Sequence, residues 1–332
     1  MSSRTAPDRC PGALRVHEAL DGGLVRIRVP GGILSAAQVS SLATASASLG
    51  DGCLDLTSRG NLQLRGLRAD TRNALVDVLL DVGLLPSPAH DPARNIVASP
   101  LADLPVAELD AGLCADPALA DLPGRFLLAL SDPSGDVLSL RPDLALVDGS
   151  LVIGGRLAGP GDVQDLLEAC RAFLTERSVQ GSLAWRLLEL TDGPIGVAAR
   201  LGRVLGAAAA VGSAPALGAH GPSIVAHVPF GRLTPGQLAA LGEVRITPWH
   251  SVVVPAGTDL SLFVTDPASP SIGLTACVGT QCASALADVR ADAAPTSSPT
   301  HWSGCARRCG RPAGARDMLA TADGYLLDGV PA

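Results

Sequence analysis

Four of the chain's eight cysteines fall into two tight pairs near its end, and they are the residues best spaced to do chemistry. Cys277 and Cys282 sit in TACVGTQC, and Cys305 and Cys309 sit in SGCARRCG. Four thiolates delivered as two clips suit a tetrahedral metal ion or a cubane iron–sulfur cluster. Each clip closes its own small loop, so the fold has only to bring one pair to the other. Gly279, Gly304 and Gly310 let backbone N–H groups approach sulfur, and Arg307 and Arg308 offset the charge of four thiolates. These neighbours favour a cluster over ordinary reduced core thiols and over structural zinc, which more often takes Cys-x-x-Cys clips.

A second stretch, LDLTSRGNLQLRG, carries polar chemistry. Leu54, Leu56, Leu62 and Leu64 occupy even positions, while Asp55, Thr57, Arg59, Asn61, Gln63 and Arg65 occupy odd ones. Read as a strand region, period two puts the leucines on a core face and the hydrogen-bonding groups on the other. A solvated sheet face is the plain alternative, but guanidinium and amide donors at this density suit an anionic ligand with polar edges. Upstream, LVRIRVPGG alternates in the same way, with Arg26 and Arg28 on one face and a Pro-Gly-Gly turn at its end. Arg94 in ARNIVASP and Arg125 in LPGRFLLALSD are further arginines in strand-like runs.

The elements that must position these residues follow from caps and periodicity. Ser35 opens a helix that Gly50 closes, a second runs from about Thr71 to Val82, and a third spans about 161–178. The pattern VPGGILSAAQ…LDLTSRGNLQL recurs as VPFGRLTPGQ…VRITPWHSVVV, with Ser35 opposite Thr234 and Thr57 opposite Thr247. In the second copy Trp249 replaces Arg59 and Val253 replaces Gln63, so one half keeps the polar face and the other has lost it. Residues 204–222, rich in Ala, Gly and Pro, read as a linker or a loosely packed helix. The length of 332 residues, with 47% hydrophobic and 17% charged, describes a folded, soluble chain of two or three domains. A net charge of −7 without any basic run argues against a nucleic-acid partner, and every one of the 25 basic residues is arginine. No signal-peptide pattern or membrane-length apolar run is present. A cytoplasmic location is therefore expected, where cysteines stay as thiols or metal ligands.

Taken in order, RCPG, RxRVPGG, LTSRGNLQLRG, RNI, LPGRF, the second half-repeat with TPWH, TACxGxxC and SGCxxRCG resemble the sulfite/nitrite reductase superfamily. Within it the chain looks most similar to the precorrin-3B synthase family of oxygen-dependent cobalamin biosynthesis, over nearly its whole length. The resemblance implies an α+β and α/β fold of the nitrite/sulfite reductase type, with three domains and two pseudo-symmetric ferredoxin-like half-domains. On this sequence the half-domains fall at 1–90 and 216–265, a middle α/β domain at 91–215, and the cluster-binding region at 266–332.

The resemblance further implies a 4Fe–4S cluster on Cys277, Cys282, Cys305 and Cys309. It gives Arg26, Arg28, Thr57, Arg59, Asn61 and Gln63 to the tetrapyrrole precorrin-3A, and Arg94 and Arg125 to the reacting centre. The implied reaction hydroxylates the C20 meso carbon with O2 and closes a ring-A acetate to a γ-lactone. Electrons come from NADH or from a reductase or ferredoxin. A mononuclear non-haem iron is implied as well, with His17, His227, His250 and His301 as candidate ligands. Two departures stand out. Arg125 and Leu127 occupy the places of two lysines in the reductases, and the Cys277–Cys282 clip is one residue shorter. The alternatives are a sirohaem-dependent nitrite or sulfite reductase on the same scaffold and, in another class, a non-catalytic protein bearing a cluster or zinc.

Overall fold

Four five-stranded sheets organise the chain in the computed structural model, which describes every residue except 1–3, 5, 7, 9, 20, 297 and 313. The first sheet takes His17–Ala19, Gly22–Ile27, Leu62–Leu67 and Leu54–Leu56, and is completed by Arg232–Leu233 from the other copy of the repeat. The second takes Gly218–His220, Ser223–His227, Ser251–Pro255 and Val244–Ile246, and is completed by Ile33–Leu34 from the first copy. Each copy thus lends a short strand to its twin, a reciprocal exchange that makes a pseudo-two-fold. The same local device steers both copies into the exchange. Ser35 and Gln38 form a capping box ahead of helix Ala36–Leu49, and Thr234 and Gln237 repeat it ahead of Pro235–Ala240.

The stretch from Leu54 to Leu67 is two strands rather than one. Thr57 N–H donates to Asn61 O at 2.9 Å, and Gly60, at φ 62°, carries the chain through the reversal. Leu56 pairs with Leu62 across a loop with an odd number of residues, so the leucines on both sides of the turn still share the buried face. That is why the alternation persists through a hairpin.

The middle domain places Ile96–Ala98, Leu128–Ser131 and Leu144–Val147 in parallel, then adds Ser150–Ile153 and Arg156–Pro160 antiparallel. Helices Val106–Ala115 and Val163–Val179 contribute Leu109, Leu113 and Phe173 to its core, where Phe173 packs 4.3 Å from Phe126 between ring centroids. The expected linker is docked: Gly206 N–H donates to Leu157 O at 2.7 Å and Gly212 N–H to Gly135 O at 2.9 Å. The last sheet has Leu274–Ala276, Thr300–Ser303 and Arg316–Thr321 in parallel, then Gly324–Leu327 and Val330–Pro331 antiparallel. Its strand order repeats that of the middle domain. The internal repeat is therefore larger than the sequence indicates, a half-domain followed by an α/β domain, twice. It hides because the four-residue helix Val289–Asp292 stands where the middle domain has Val106–Ala115.

A buried carboxamide joins the first half-domain to the middle domain. Asn95 Oδ1 accepts from Arg28 Nη1 at 2.8 Å and from Asn61 Nδ2 at 3.1 Å, while Asn95 Nδ2 donates to Phe126 O at 2.9 Å. Asn61 Oδ1 in turn accepts from Val29 N–H at 3.1 Å. Asn95→Ala would strand these donors in the interior, and a loss of about 3 kcal/mol is expected, read as a lowered urea midpoint.

Candidate functional site

The 57–61 hairpin, the strand Gly22–Ile27, Asp8, Cys10 and Pro11 of the leader and the middle-domain residues Arg125 and Trp185 enclose a cavity of about 510 Å³. Arg26, Thr57, Arg59, Asn61 and Gln63 line one side and Arg125 the other. Arg125 is held from two directions. Its N–H donates to Asp8 Oδ2 at 2.8 Å, and its guanidinium lies 4.9 Å from the Trp185 ring centroid, which Arg4 also covers at 4.0 Å. Arg59 Nη1 donates to Arg125 O at 3.0 Å, so the hairpin tip and the middle domain meet at this point. Asp8 is the one carboxylate among the described lining residues, against three guanidinium groups. Burial lowers the pKa of Arg26 and of Arg59, and Arg26 Nε is buried with no partner among the described residues. Three guanidinium groups against a single carboxylate leave a net positive wall that suits an anion.

A second cavity, of about 750 Å³, shares His17, Leu24 and Gln63 with the first, so the two adjoin along that wall. Cys277, Cys282 and Cys309 line it, and Cys305 is half-buried nearby in the chain. Parallel pairing puts these thiols just past the ends of strands. Cys277 follows Leu274–Ala276, its N–H donates to Trp302 O at 2.9 Å, and Gly304 N–H donates to Cys277 Sγ at 3.1 Å. Among the described residues no three His, Cys, Asp or Glu side chains converge as they would on a single ion. A cubane binds each thiolate through a different iron, so its ligands stand apart, and a backbone N–H on sulfur is the contact that tunes such a group. Four cysteines with a backbone N–H on sulfur are a donor set that fits a cluster.

Two expected ligand contacts lie elsewhere. Arg28 is 1% exposed behind the cavity, where its Nη2 donates to Gly124 O at 3.0 Å and burial lowers its pKa to about 10. Arg94 is 2% exposed and grips Asp110 with both Nε and Nη2, at 2.7 and 2.8 Å. Both arginines brace loops, and neither lines the cavities. Asn61 reaches the cavity wall, yet its amide is consumed by Val29, Arg59 and Asn95. Leu127 packs in the middle-domain core, and its N–H donates to Asp143 Oδ2 at 2.8 Å. Burial pushes the Asp143 carboxyl up to about 6 despite Arg186 at 2.6 Å. Sequence reasoning passed over Asp8 and Trp185, since only the fold brings the leader and residue 185 to Arg125.

The four histidines are not gathered into one site. His17, His250 and His301 line the cysteine-side cavity, whereas His227 is buried with Nε2 unpartnered. The His301 ring is engaged by Thr275 Oγ1 at 2.9 Å and Cys309 O at 3.1 Å. Two other lining residues are unusual in their backbone. Phe230, at φ 57°, and His250, at φ 55°, occupy places that Gly31 and Gly60 hold in the first copy. A left-handed conformation costs a residue with a side chain about 1–2 kcal/mol.

Comparisons with known proteins agree with this architecture. Residues 17–82 match the nitrite/sulfite reductase ferredoxin-like half-domain. The chain is 29% identical to the ferredoxin–nitrite reductase of Synechococcus elongatus, covering 92% of this chain and 78% of that protein. It is 26% identical to the chloroplastic ferredoxin–nitrite reductase of Zea mays, covering 87% and 67%. A precorrin-3B synthase from a Sinorhizobium species is 40% identical over 72 residues, which is 22% of this chain and 16% of that protein. The solved structure of Mycobacterium tuberculosis NirA superposes with a TM-score of 0.64 at 20% identity, covering 92% of this chain and 73% of that one. The chain thus carries a nitrite/sulfite reductase half-domain within a nitrite/sulfite reductase fold. Among the described residues no helix is long and apolar enough to cross a membrane.

Burial lowers the His227 pKa to about 4, below its ordinary value of 6.5. The unfolded chain therefore takes up a proton between those values that the folded chain does not, and stability falls as pH drops from about 6.5 toward 4. Urea midpoints measured across that window should decline, and His227→Gln should flatten the decline.

Proposed function

We propose that this chain is a tetrapyrrole-dependent oxidoreductase of the precorrin-3B synthase type. The observation that carries the reading is one shared wall: a cavity ringed by arginines adjoins a cavity lined by the cysteines, with Gln63 and His17 on both. An extended ligand with carboxylates at its rim suits the first. An electron-carrying group suits the second.

Arg26, Arg59 and Arg125 would take acetate and propionate groups as charge-assisted pairs, and this fixes which edge of the macrocycle faces the cysteines. Trp185 holds the Arg125 guanidinium over its ring, and Asp8 fixes its backbone. Cys277, Cys282, Cys305 and Cys309 would hold a 4Fe–4S cluster, which when bound supplies electrons one at a time. In the overall reaction one atom of O2 enters precorrin-3A at C20 and the other leaves as water, with an electron pair and one proton drawn from NADH and a second proton from solvent. Closure of the ring-A acetate forms the lactone C–O bond and consumes no further electrons. The resemblance sets Leu127 where the reductases carry a second lysine, and a chain without that cation favours this reaction over reduction of a small inorganic anion.

A second reading, a sirohaem-dependent nitrite or sulfite reductase, is favoured by the long alignments with ferredoxin–nitrite reductases, which cover 87–92% of this chain. The two separate on product. Cluster-reconstituted protein given precorrin-3A, NADH with a reductase, and isotopically labelled O2 should yield a product heavier by one labelled oxygen atom. Ammonium from nitrite or sulfide from sulfite, with precorrin-3A unchanged, would assign the second reading. In either case Arg59→Ala should weaken tetrapyrrole binding by about tenfold or more in an absorption titration, a loss of one charge-assisted pair.

A further inference from the structure

His250 occupies a backbone position made for glycine. Its twin in the first copy is Gly60, at φ 62°, and the second copy keeps the left-handed turn while adding an imidazole at φ 55°. The ring does not cap the turn, which is closed by Thr247 N–H donating to Ser251 O at 2.9 Å and by Thr247 Oγ1 with Ser251 Oγ at 2.6 Å. It lies over Gly231, where an added Cβ would come within 2.8 Å of it, and it faces the cavity lined by Cys277, Cys282 and Cys309. A strained side chain that the turn does not use, aimed into a cavity, marks a functional contact.

The chemistry around it narrows what that contact is. Three carboxylates line the same cavity, and each has an arginine partner: Glu18 with Arg72, Asp21 with Arg65 and Asp55 with Arg232. The His301 ring is spent on Thr275 and Cys309. The His250 ring makes no hydrogen bond among the described residues, and a neutral imidazole keeps one ring lone pair free to accept. A metal-free tetrapyrrole presents pyrrole N–H donors at its centre and carboxylates at its rim. The arginine-lined cavity answers the rim.

We propose that His250 contacts the bound tetrapyrrole from the cysteine side of the cleft, its imidazole accepting a hydrogen bond from a pyrrole N–H of the macrocycle. This deepens the tetrapyrrole reading and rests on it. The contact also explains why a left-handed histidine is kept where its twin is glycine.

The test turns on opposite signs for folding and binding. His250→Gly relieves the backbone and should give an apoprotein with a Tm equal to or above that of the parent chain. In an anaerobic absorption titration with sirohydrochlorin, the same variant should bind at least tenfold more weakly. Unchanged affinity in the variant, whatever its Tm, overturns the proposal. A lowered Tm together with weaker binding also overturns it, since that pattern belongs to a packing residue. If the parent chain itself takes up no sirohydrochlorin, the tetrapyrrole reading fails and the contact fails with it.

Discussion

One buried oxygen atom sets the geometry on which the site depends. Asn95 Oδ1 receives a guanidinium from the strand side and an amide from the hairpin, so it fixes the first half-domain against the middle domain. Asn61 passes this constraint along the hairpin to Arg59, whose backbone carbonyl it also binds at 3.2 Å. Arg59 then meets Arg125 across the cavity. The spacing of the cavity's guanidiniums is thus inherited from an interior hydrogen-bond network behind its wall. Arg28 belongs to this network as a brace, which is why its charge is buried and its pKa depressed.

The duplicated architecture explains why there is one cleft. The two half-domains exchange short strands and share a core that includes Leu54, Leu64, Val244 and Val252, but their loops have diverged. In the first copy the hairpin tip carries Arg59 to the cavity. In the second, Trp249 packs instead against the middle-domain core that contains Val97 and Leu127. One loop lines the cavity and the other wedges. The two α/β domains have diverged in the same sense: the strand ends of the middle domain carry a buried Ser99–Ser131–Asp136 cluster, and those of the last domain lead into the cysteine clips.

Local signals were legible in the sequence and partner-dependent ones were not. Caps at Ser35 and Thr234 are written in neighbouring residues, so the helices they open formed as read, while the leucine alternation marked the buried face but not the reversal within it. The cysteine clips and the Arg26, Arg59 and Gln63 face follow from spacing alone. Arg94 shows the limit. Its type and setting are those of a ligand contact, but Asp110, one helix away, claims both ends of its fork. The hairpin at 57–61 escaped notice because a loop with an odd number of residues preserves parity. Trp185 gave no local signal, since its role is set by a leader and a loop that meet it only in the fold.

The central claim is that the cysteine-side cavity houses an electron-carrying cluster beside a tetrapyrrole. Iron and acid-labile sulfide analysis of anaerobically reconstituted protein, read with its absorption spectrum, tests it most directly. About four iron and four sulfide per chain, with a broad band in the visible that Cys305→Ser abolishes, is the expected result. Stoichiometric zinc without sulfide would contradict the account.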